Sequence, residues 1–480
     1  MQRVGKCVEV RGGSPSRGGE VAECGHSRRS RAQGELPISD ARLYTLNPMH
    51  SVLCSLIVAG TLSVCLGGTK ATVASANPLL YPSRTEVRHV MLSRDELSAP
   101  KLALATFGPG PLYWERFGHN AIVVDDPAAG ERIAYNYGVF DFQEKHFLLN
   151  FALGHMKYSL DAETLDEDLA TYVVEGRSVT VQMLNLTPAQ ARQLAAFLAW
   201  NAQPQNADYR YDYFLNNCST KVRDALNRAL GGALERQLAR RPAPHTYRFD
   251  AVRLISPEFW LALGMDTGLG PNADGTLNLW QESFVPMVLS RALNAVTVRD
   301  ANGDALPLVS EEQVVLPGRL PPAPAAPLDL RLPFLAAGIA LTALLLWLAY
   351  AQGPLYRASF AFLAIAWWLI CGLIGLMLAG LWGLSDHWAA WRNENLLLLN
   401  PLCLLLPLAW WRSPRSARCL ATLIAAAALS SLIVRTLPGW YQSNLAYIAL
   451  AVPVHLALAT LTWCQPSLAG GSECRDARLA

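Results

Sequence analysis

The sequence predicts two parts: an exported α+β domain with a mainly antiparallel sheet, then an all-α bundle of five transmembrane helices. Three observations predict this. Composition changes abruptly near residue 318, five apolar runs follow that point, and arginines are placed asymmetrically around those runs. The chain is 52% hydrophobic and only 16% charged, whereas soluble domains carry about 25% charged residues, so part of it sits in lipid. A net charge of +2, with no basic run interleaved with aromatics, gives no reason to expect a nucleic-acid partner.

Residues 1–48 are rich in Gly, Arg and Ser and lack hydrophobic periodicity. They read as a disordered tail or as sequence upstream of the true start, Met49. Residues 49–76 read as a signal peptide: the apolar run 52–66 is too short to span a bilayer comfortably, and Ala74-Ser75-Ala76 fits a small-residue cleavage site. An uncleaved anchor is the alternative. Residues 77–317 have ordinary globular composition, and 318–331, GRLPPAPAAPLDLR, form a stiff Pro-rich linker.

The five apolar runs lie at about 332–352, 359–381, 396–411, 419–434 and 445–463, within a membrane domain 332–464. Each approaches the ~20 residues a spanning helix needs. Pro401, Pro407 and Pro453 lie inside them, which packed membrane helices tolerate. Arg357, the Arg412-Arg415-Arg418 connection and the tail 465–480 with Arg475 and Arg478 fall on one side, cytoplasmic by the positive-inside rule. The linker and the loops 385–394 and 435–443 then lie outside, in agreement with the export signal.

Within the exported domain, 102–107, 119–125, 132–140 and 178–186 read as strands, the second and third joined through Asp126-Pro127-Ala128-Ala129-Gly130. Thr187-Pro188 caps a helix running to about Ala202. Residues 218–230 read as a helix ended by Gly231-Gly232.

Of ten cysteines, the exported domain keeps one, Cys218. A lone thiol in an oxidising compartment has no disulfide partner in its own domain. Asn216 and Asn217 are good N-cap types, so Cys218 opens the helix, where free N–H groups and the dipole favour a thiolate and predict a pKa below ~8.5. The plainer reading is a small buried hydrophobe. A nucleophilic thiolate needs a base, and His89, His119, His146, His155 and His245 are available. His119, in Phe117-Gly118-His119-Asn120 at the start of a strand, is preferred, although a lone histidine there is more often structural. Asn136 on the paired strand is the choice to orient the imidazole, with Asp141 second.

The loop residues Ser385, Asp386, His387, Arg392, Asn393, Glu394 and Asn395 read either as a hydrated turn or as a headgroup-binding surface on which Arg392 meets phosphate. His455, an ionisable group inside the fifth run, is a candidate by default, with a satisfied packing role as the alternative. No H-E-x-x-H and no cysteine pair at ligand spacing occurs in the exported part, so no metal and no cofactor is expected.

Phe117-Gly118-His119, Tyr135-Asn136-Tyr137-Gly138-Val139-Phe140-Asp141-Phe142 and Asn217-Cys218-Ser219-Thr220 with Arg223-Asp224 resemble the Lnb-type family of bacterial lipoprotein N-acyltransferases. Gly154-His155-Met156-Lys157-Tyr158, Glu175-Gly176-Arg177, Ser385-Asp386-His387-Trp388 and Asn393-Glu394-Asn395 continue the series in order. The resemblance spans residues 95–464. It implies a permuted papain/NlpC-like domain in which the histidine strand precedes the cysteine helix. It implies a multi-pass protein of the bacterial cytoplasmic membrane with its catalytic domain on the periplasmic face. It further implies acyl transfer from a phospholipid to the N-terminal amine of a diacylglyceryl-cysteine lipoprotein, with Cys218 as nucleophile, His119 as base and Asn136 as orienter. Tyr135, Asp141, Asp386, His387, Arg392 and Asn393 are expected to contact substrate. A phospholipase or peptidoglycan-directed hydrolase using the same pair, and a non-enzymatic membrane scaffold, remain the competing classes.

Overall fold

In a computed structural model, the structure describes residues 98–127, 130–437, 439 and 441–464. The readings made for residues 1–48, the signal-like segment 49–76, His89 and the tail 465–480 lie outside the described residues.

The expected sheet is present and wider than the sequence indicated. β1 (Lys101–Phe107), β2 (His119–Asp126), β3 (Glu131–Val139), β4 (Lys157–Thr164), β5 (Val179–Leu184), β6 (Asp208–Arg210) and β9 (Val309–Leu316) make one sheet in the order β6-β4-β3-β2-β1-β5-β9. Every pairing in it is antiparallel. The short β7 (Thr297–Arg299) and β8 (Ala305–Pro307) pair separately.

The sheet is buried on both faces, so alternate residues feed two cores. Leu102, Leu104, Ile122, Val124, Tyr135 and Tyr137 face one core. Val222, Ala225, Leu226, Ala191, Leu194 and Leu198 meet them there from helices. Ala103, Ala105, Phe107, Ala121, Val123 and Ala134 face the other, closed by Leu165 and Tyr172.

Four helices of the sheet domain matter to the site: α1 (Phe147–Leu153), α2 (Leu165–Glu175), α3 (Pro188–Asn201) and α4 (Cys218–Ala229). The cap of α3 is the one read from sequence. The Thr187 hydroxyl accepts from Gln190 N, the Gln190 side chain accepts from Thr187 N, and Pro188 opens the helix.

Among the described residues, five segments are long and apolar enough to cross a membrane. Four are continuous helices: α5 (Arg331–Tyr350), α6 (Pro354–Leu384), α8 (Pro414–Val434) and α9 (Leu445–Cys464). The third, Glu394–Arg412, is not. It runs as 3₁₀ turns Glu394–Leu397 and Pro401–Leu405 before a short helix, α7 (Leu406–Arg412). Pro401 lacks an N–H, and the Asn400 side chain accepts from Leu402 N instead, so the α-helical ladder cannot run through. This irregular backbone packs on α6, which is tolerable at membrane depth only because it is covered by protein. Gly375 permits that approach: a Cβ there would stand 2.1 Å from the Leu399 carbonyl oxygen.

Candidate active site

Cys218 is the first residue of α4, as its N-cap signal predicts. Asn217 Oδ1 accepts from Thr220 N at 2.9 Å, and Thr220 Oγ1 accepts from Asn217 N at 2.8 Å. The cap is itself anchored, because Asn217 Nδ2 donates to Phe284 O at 2.8 Å. The Ser219 hydroxyl, next in the chain, lies 2.9 Å from Asn120 Oδ1. These bonds fix the start of the helix against β2 before any apolar contact is counted. Cys218 itself keeps partial access to solvent.

Close approach to β3 needs Gly138. Its φ is +100°, and a Cβ there would stand 3.3 Å from Cys218 Cβ. Any L side chain at this position would combine backbone strain with crowding of the thiol.

The thiol is bounded by backbone donors. N–H groups of Asn120, Ser219 and Cys218 itself all act to lower its pKa, yet burial outweighs them and pushes the thiol up from its ordinary value. The sequence expectation of a depressed thiol pKa is therefore corrected. The helix terminus is where it should be, but desolvation of a thiolate is the larger effect.

His119 begins β2, opposite Phe107 of β1, and its ring stacks on Phe107 at 5.8 Å. The imidazole is buried. Nε2 lies 3.1 Å from Asn136 Oδ1, and Asn136 Nδ2 donates to Asp168 Oδ2 at 3.1 Å. The direction of this chain follows from its far end. Asp168 Oδ2 accepts from the Asn136 NH₂, which leaves the amide oxygen turned to the ring. Nε2 then carries the proton, and Nδ1 holds the free lone pair. Burial, and after it the Arg177 guanidinium, hold the His119 pKa below the usual imidazole value, so the ring is neutral. The resting pair is thus a neutral thiol and a neutral imidazole on adjoining elements. Among the described residues they make no direct hydrogen bond to one another; such bonds often form only with substrate present.

Asp168 was not read from the sequence. It sits in the first turn of α2 beside Asp166 and Glu167, where acidic residues ordinarily complement the helix dipole. The available signal was spacing. Leu165, Asp168 and Tyr172 fall on one helical stripe, and all three are buried. An aspartate on an apolar stripe needs a partner, and Asn136 is that partner.

The residues expected to contact substrate fall in different places. Tyr135 is buried in the core on the opposite face of β3 from Asn136. Asp141 is exposed, and its Oδ1 accepts from Gln143 N at 2.8 Å in the turn after β3. Asp386, His387 and Asn393 join the membrane part to the N-terminal domain. Asp386 pairs with Arg210 and with His155 (3.1 Å), which hold its carboxyl below the usual range. His387 Nε2 lies 2.8 Å from Phe151 O. Asn393 is fully enclosed, and its Nδ2 lies within hydrogen-bond distance of the carbonyls of Thr267, Gly268 and Leu269. Arg392 donates to Gly439 O at 3.0 Å. Trp388, which had no assigned role, donates from Nε1 to Asp212 Oδ2 at 3.0 Å and packs on Phe214 and Tyr247. His455 is buried, with Nε2 2.8 Å from Leu398 O, where it ties α9 to the irregular third span.

His245, Asp250 and Glu282 place one ligand atom each within 4.8 Å of one another, a grouping that sequence spacing did not reveal. The Arg253 guanidinium already pairs with Asp250 at 2.6 Å, and His245 Nδ1 lies 2.9 Å from Glu282 Oε1, so each member of the cluster has a protein partner.

Two domain models of one family match this chain. The Lnb N-terminal periplasmic domain matches residues 91–256, and the Lnb transmembrane domain matches residues 329–465. No curated protein and no solved structure matches it.

Proposed function

We propose, from the premise that this chain belongs to the Lnb family and is a multi-pass membrane protein with a periplasmic-type domain, that it is a lipoprotein N-acyltransferase working through a Cys218 thioester. The observation that supports this best is the directed chain Asp168–Asn136–His119, which leaves Nδ1 as an acceptor at the strand end over which the Cys218 helix begins. The proposal includes a permuted papain/NlpC-like arrangement, with the histidine strand before the cysteine helix. It also places the exported domain on the periplasmic side of the cytoplasmic membrane. The acyl donor is a phospholipid, and the acceptor is the α-amine of a diacylglyceryl-cysteine lipoprotein.

The steps follow from the resting protonation. His119 Nδ1 takes the thiol proton as the sulfur attacks the ester carbonyl of the donor, so a C–S bond forms and the carbonyl oxygen gains negative charge. The backbone N–H groups of Asn120 and Ser219 that face the sulfur are the nearest donors to that oxyanion. The C–O ester bond then breaks, and the proton on Nδ1 goes to the lysophospholipid oxygen. In the second half the amine attacks the thioester carbonyl to form a C–N bond, and Nδ1 takes the amine proton; the C–S bond then breaks, and that proton passes to the sulfur, which regenerates the thiol and releases the amide. A neutral resting pair suits this cycle, because the same ring must accept a proton from sulfur and later from nitrogen.

Mass spectrometry of lipoprotein N-termini, with the gene present and deleted, tests the reading. The expected result is N-acylated termini only when the protein is made. Unmodified termini together with released free fatty acid would assign the same pair to hydrolysis instead.

A further inference from the structure

The first turns and helix beyond the catalytic strands expose a continuous apolar surface. α1, Phe147–Leu153, has no charged residue and no buried residue. Leu148 is 78% exposed, Leu149 55% and Phe151 53%. Tyr113 and Phe142 extend the same surface: Tyr113 packs on Trp114 at 4.4 Å, Trp114 on Phe142 at 6.0 Å, and Phe142 on Phe147 at 5.1 Å. Single exposed apolar residues are normal on soluble proteins, but a contiguous group of this kind marks a partner.

Its place in the fold says which partner. α1 packs against α6, a membrane-spanning helix. Immediately past the end of α6, Asp386 N donates to Leu153 O at 2.9 Å and His387 Nε2 reaches Phe151 O. Gly154, which ends α1 at a φ of +76°, lies against the same backbone: a Cβ on it would stand 3.3 Å from Asp386 C and His387 N. The apolar helix is therefore fastened at the level where a span leaves the hydrocarbon. Uncharged apolar side chains with Tyr and Trp beside them are the composition of that boundary. From there a line of ring contacts runs inward. Phe142 meets Phe140 at 4.8 Å, Phe140 meets Tyr158 at 5.0 Å, and Tyr158 stacks on Tyr211 at 4.1 Å. Tyr158 and Tyr211 both lie near enough to Cys218 that a thiolate there would raise their hydroxyl pKa.

We propose that α1 and the aromatic turns beside it are immersed in the outer face of the bilayer, and that a phospholipid acyl chain crosses this surface to reach Cys218. Immersion stands on the geometry alone; the passage of substrate rests on the acyl-transfer reading of Cys218. The partner is a lipid surface, and α1 itself meets it without a charged side chain.

The full chain in vesicles of phosphatidylethanolamine and phosphatidylglycerol, doped with a phospholipid carrying a diazirine in its acyl chain, tests both parts. After irradiation, label is expected on the peptide containing Phe147–Leu153 as well as on the five spans. Label on the spans with none on that peptide overturns the immersion. The double variant Leu148→Asn and Leu149→Asn should lose the label from this peptide, keep it on the spans, and acylate Cys218 severalfold more slowly from vesicle phospholipid. Acylation at the wild-type rate overturns the access role. If wild-type protein labels at 147–153 but never acylates Cys218, the surface stands and the acyl-transfer reading fails.

Discussion

Two polar constellations in this molecule look alike in sequence and behave differently in structure. His119, Asn136 and Asp168 lie within the sheet domain, and Asp386, His387 and Asn393 lie on the loop after α6. In the first, side chains bond to side chains, and the series ends on a ring nitrogen with a lone pair to spare. In the second, most bonds go to backbone: His387 to Phe151 O, Asp386 N to Leu153 O, and Asn393 to three successive carbonyls. A side-chain relay holds a proton acceptor in one tautomer. A set of bonds to carbonyls holds one piece of chain against another. On the proposed function, the comparison separates a site that would do chemistry from one that holds the domain on its membrane part.

The sharpest way to break that contrast is to remove the ring. His119→Ala should lower acyl transfer by the ~10²–10⁴-fold typical of a lost general base, with the fold kept. Asp168→Asn should cost less but reveal more. An amide at 168 can donate, which frees the Asn136 amide to turn over and offer its NH₂ to Nε2. The ring then carries its proton on Nδ1, the wrong nitrogen, so kcat should fall while KM stays near the wild-type value.

The second constellation should respond in stability. Asn393→Ala takes one donor from three carbonyls; those of Thr267 and Leu269 keep Asn395, Arg248 and Gln442, while that of Gly268 loses its side-chain donor, and a lost partner of that kind costs about 1–3 kcal/mol. Thermal unfolding should report that loss, while alkylation of Cys218 proceeds at the wild-type rate. Equal loss of stability and of Cys218 reactivity would erase the distinction between the two sites.

A pH titration sharpens the electrostatic side. Burial raises the thiol pKa and lowers that of His119, so the pair does not exchange its proton at rest. The alkylation rate of Cys218 should therefore climb with a midpoint above the ~8.5 of free cysteine, with no plateau at neutral pH. A midpoint below 8.5 would restore the ion pair that the helix terminus alone suggests. The same His119 shift has a stability sign. Its folded pKa lies below the unfolded value near 6.5, so its contribution is intact above about pH 6.5 and is lost as pH falls towards the folded pKa. Asp386→Asn should have the smallest effect. Its partners Arg210 and His155 are both largely exposed, and exposed pairs contribute little.

The parts of this molecule that sequence made legible are those governed by short-range rules. The caps at Thr187 and Asn217 lie where their residue types predict, and β1, β2, β3 and β5 follow from their β-branched runs. The five apolar spans and their family are read correctly. β4, KYSLDAET, escapes the strand pattern because five of its eight residues are charged or helix-favouring, and β9, VSEEQVVL, because its exposed edge keeps acidic residues. The third span was read as one helix, since nothing local says that Asn400-Pro401 divides it into 3₁₀ turns covered by α6. His119 and Asn136 were legible from a strand pairing that brings Ala121 opposite Asn136. Asp168 was not, because its partner lies 32 residues away and only the sheet makes them neighbours. The role of Asn393 was hidden for the same reason: its acceptors are backbone carbonyls, which no side-chain pattern announces.

The central claim is that Cys218 carries the acyl group. The most direct measurement is the mass of the peptide containing Cys218 after the full chain is incubated with phospholipid and no amine acceptor. The account predicts an added acyl mass on that cysteine, removed by neutral hydroxylamine and absent in Cys218→Ser and His119→Ala. Transfer of acyl chains to lipoprotein amines by Cys218→Ser at the wild-type rate, with no thioester on the wild-type protein, would contradict it.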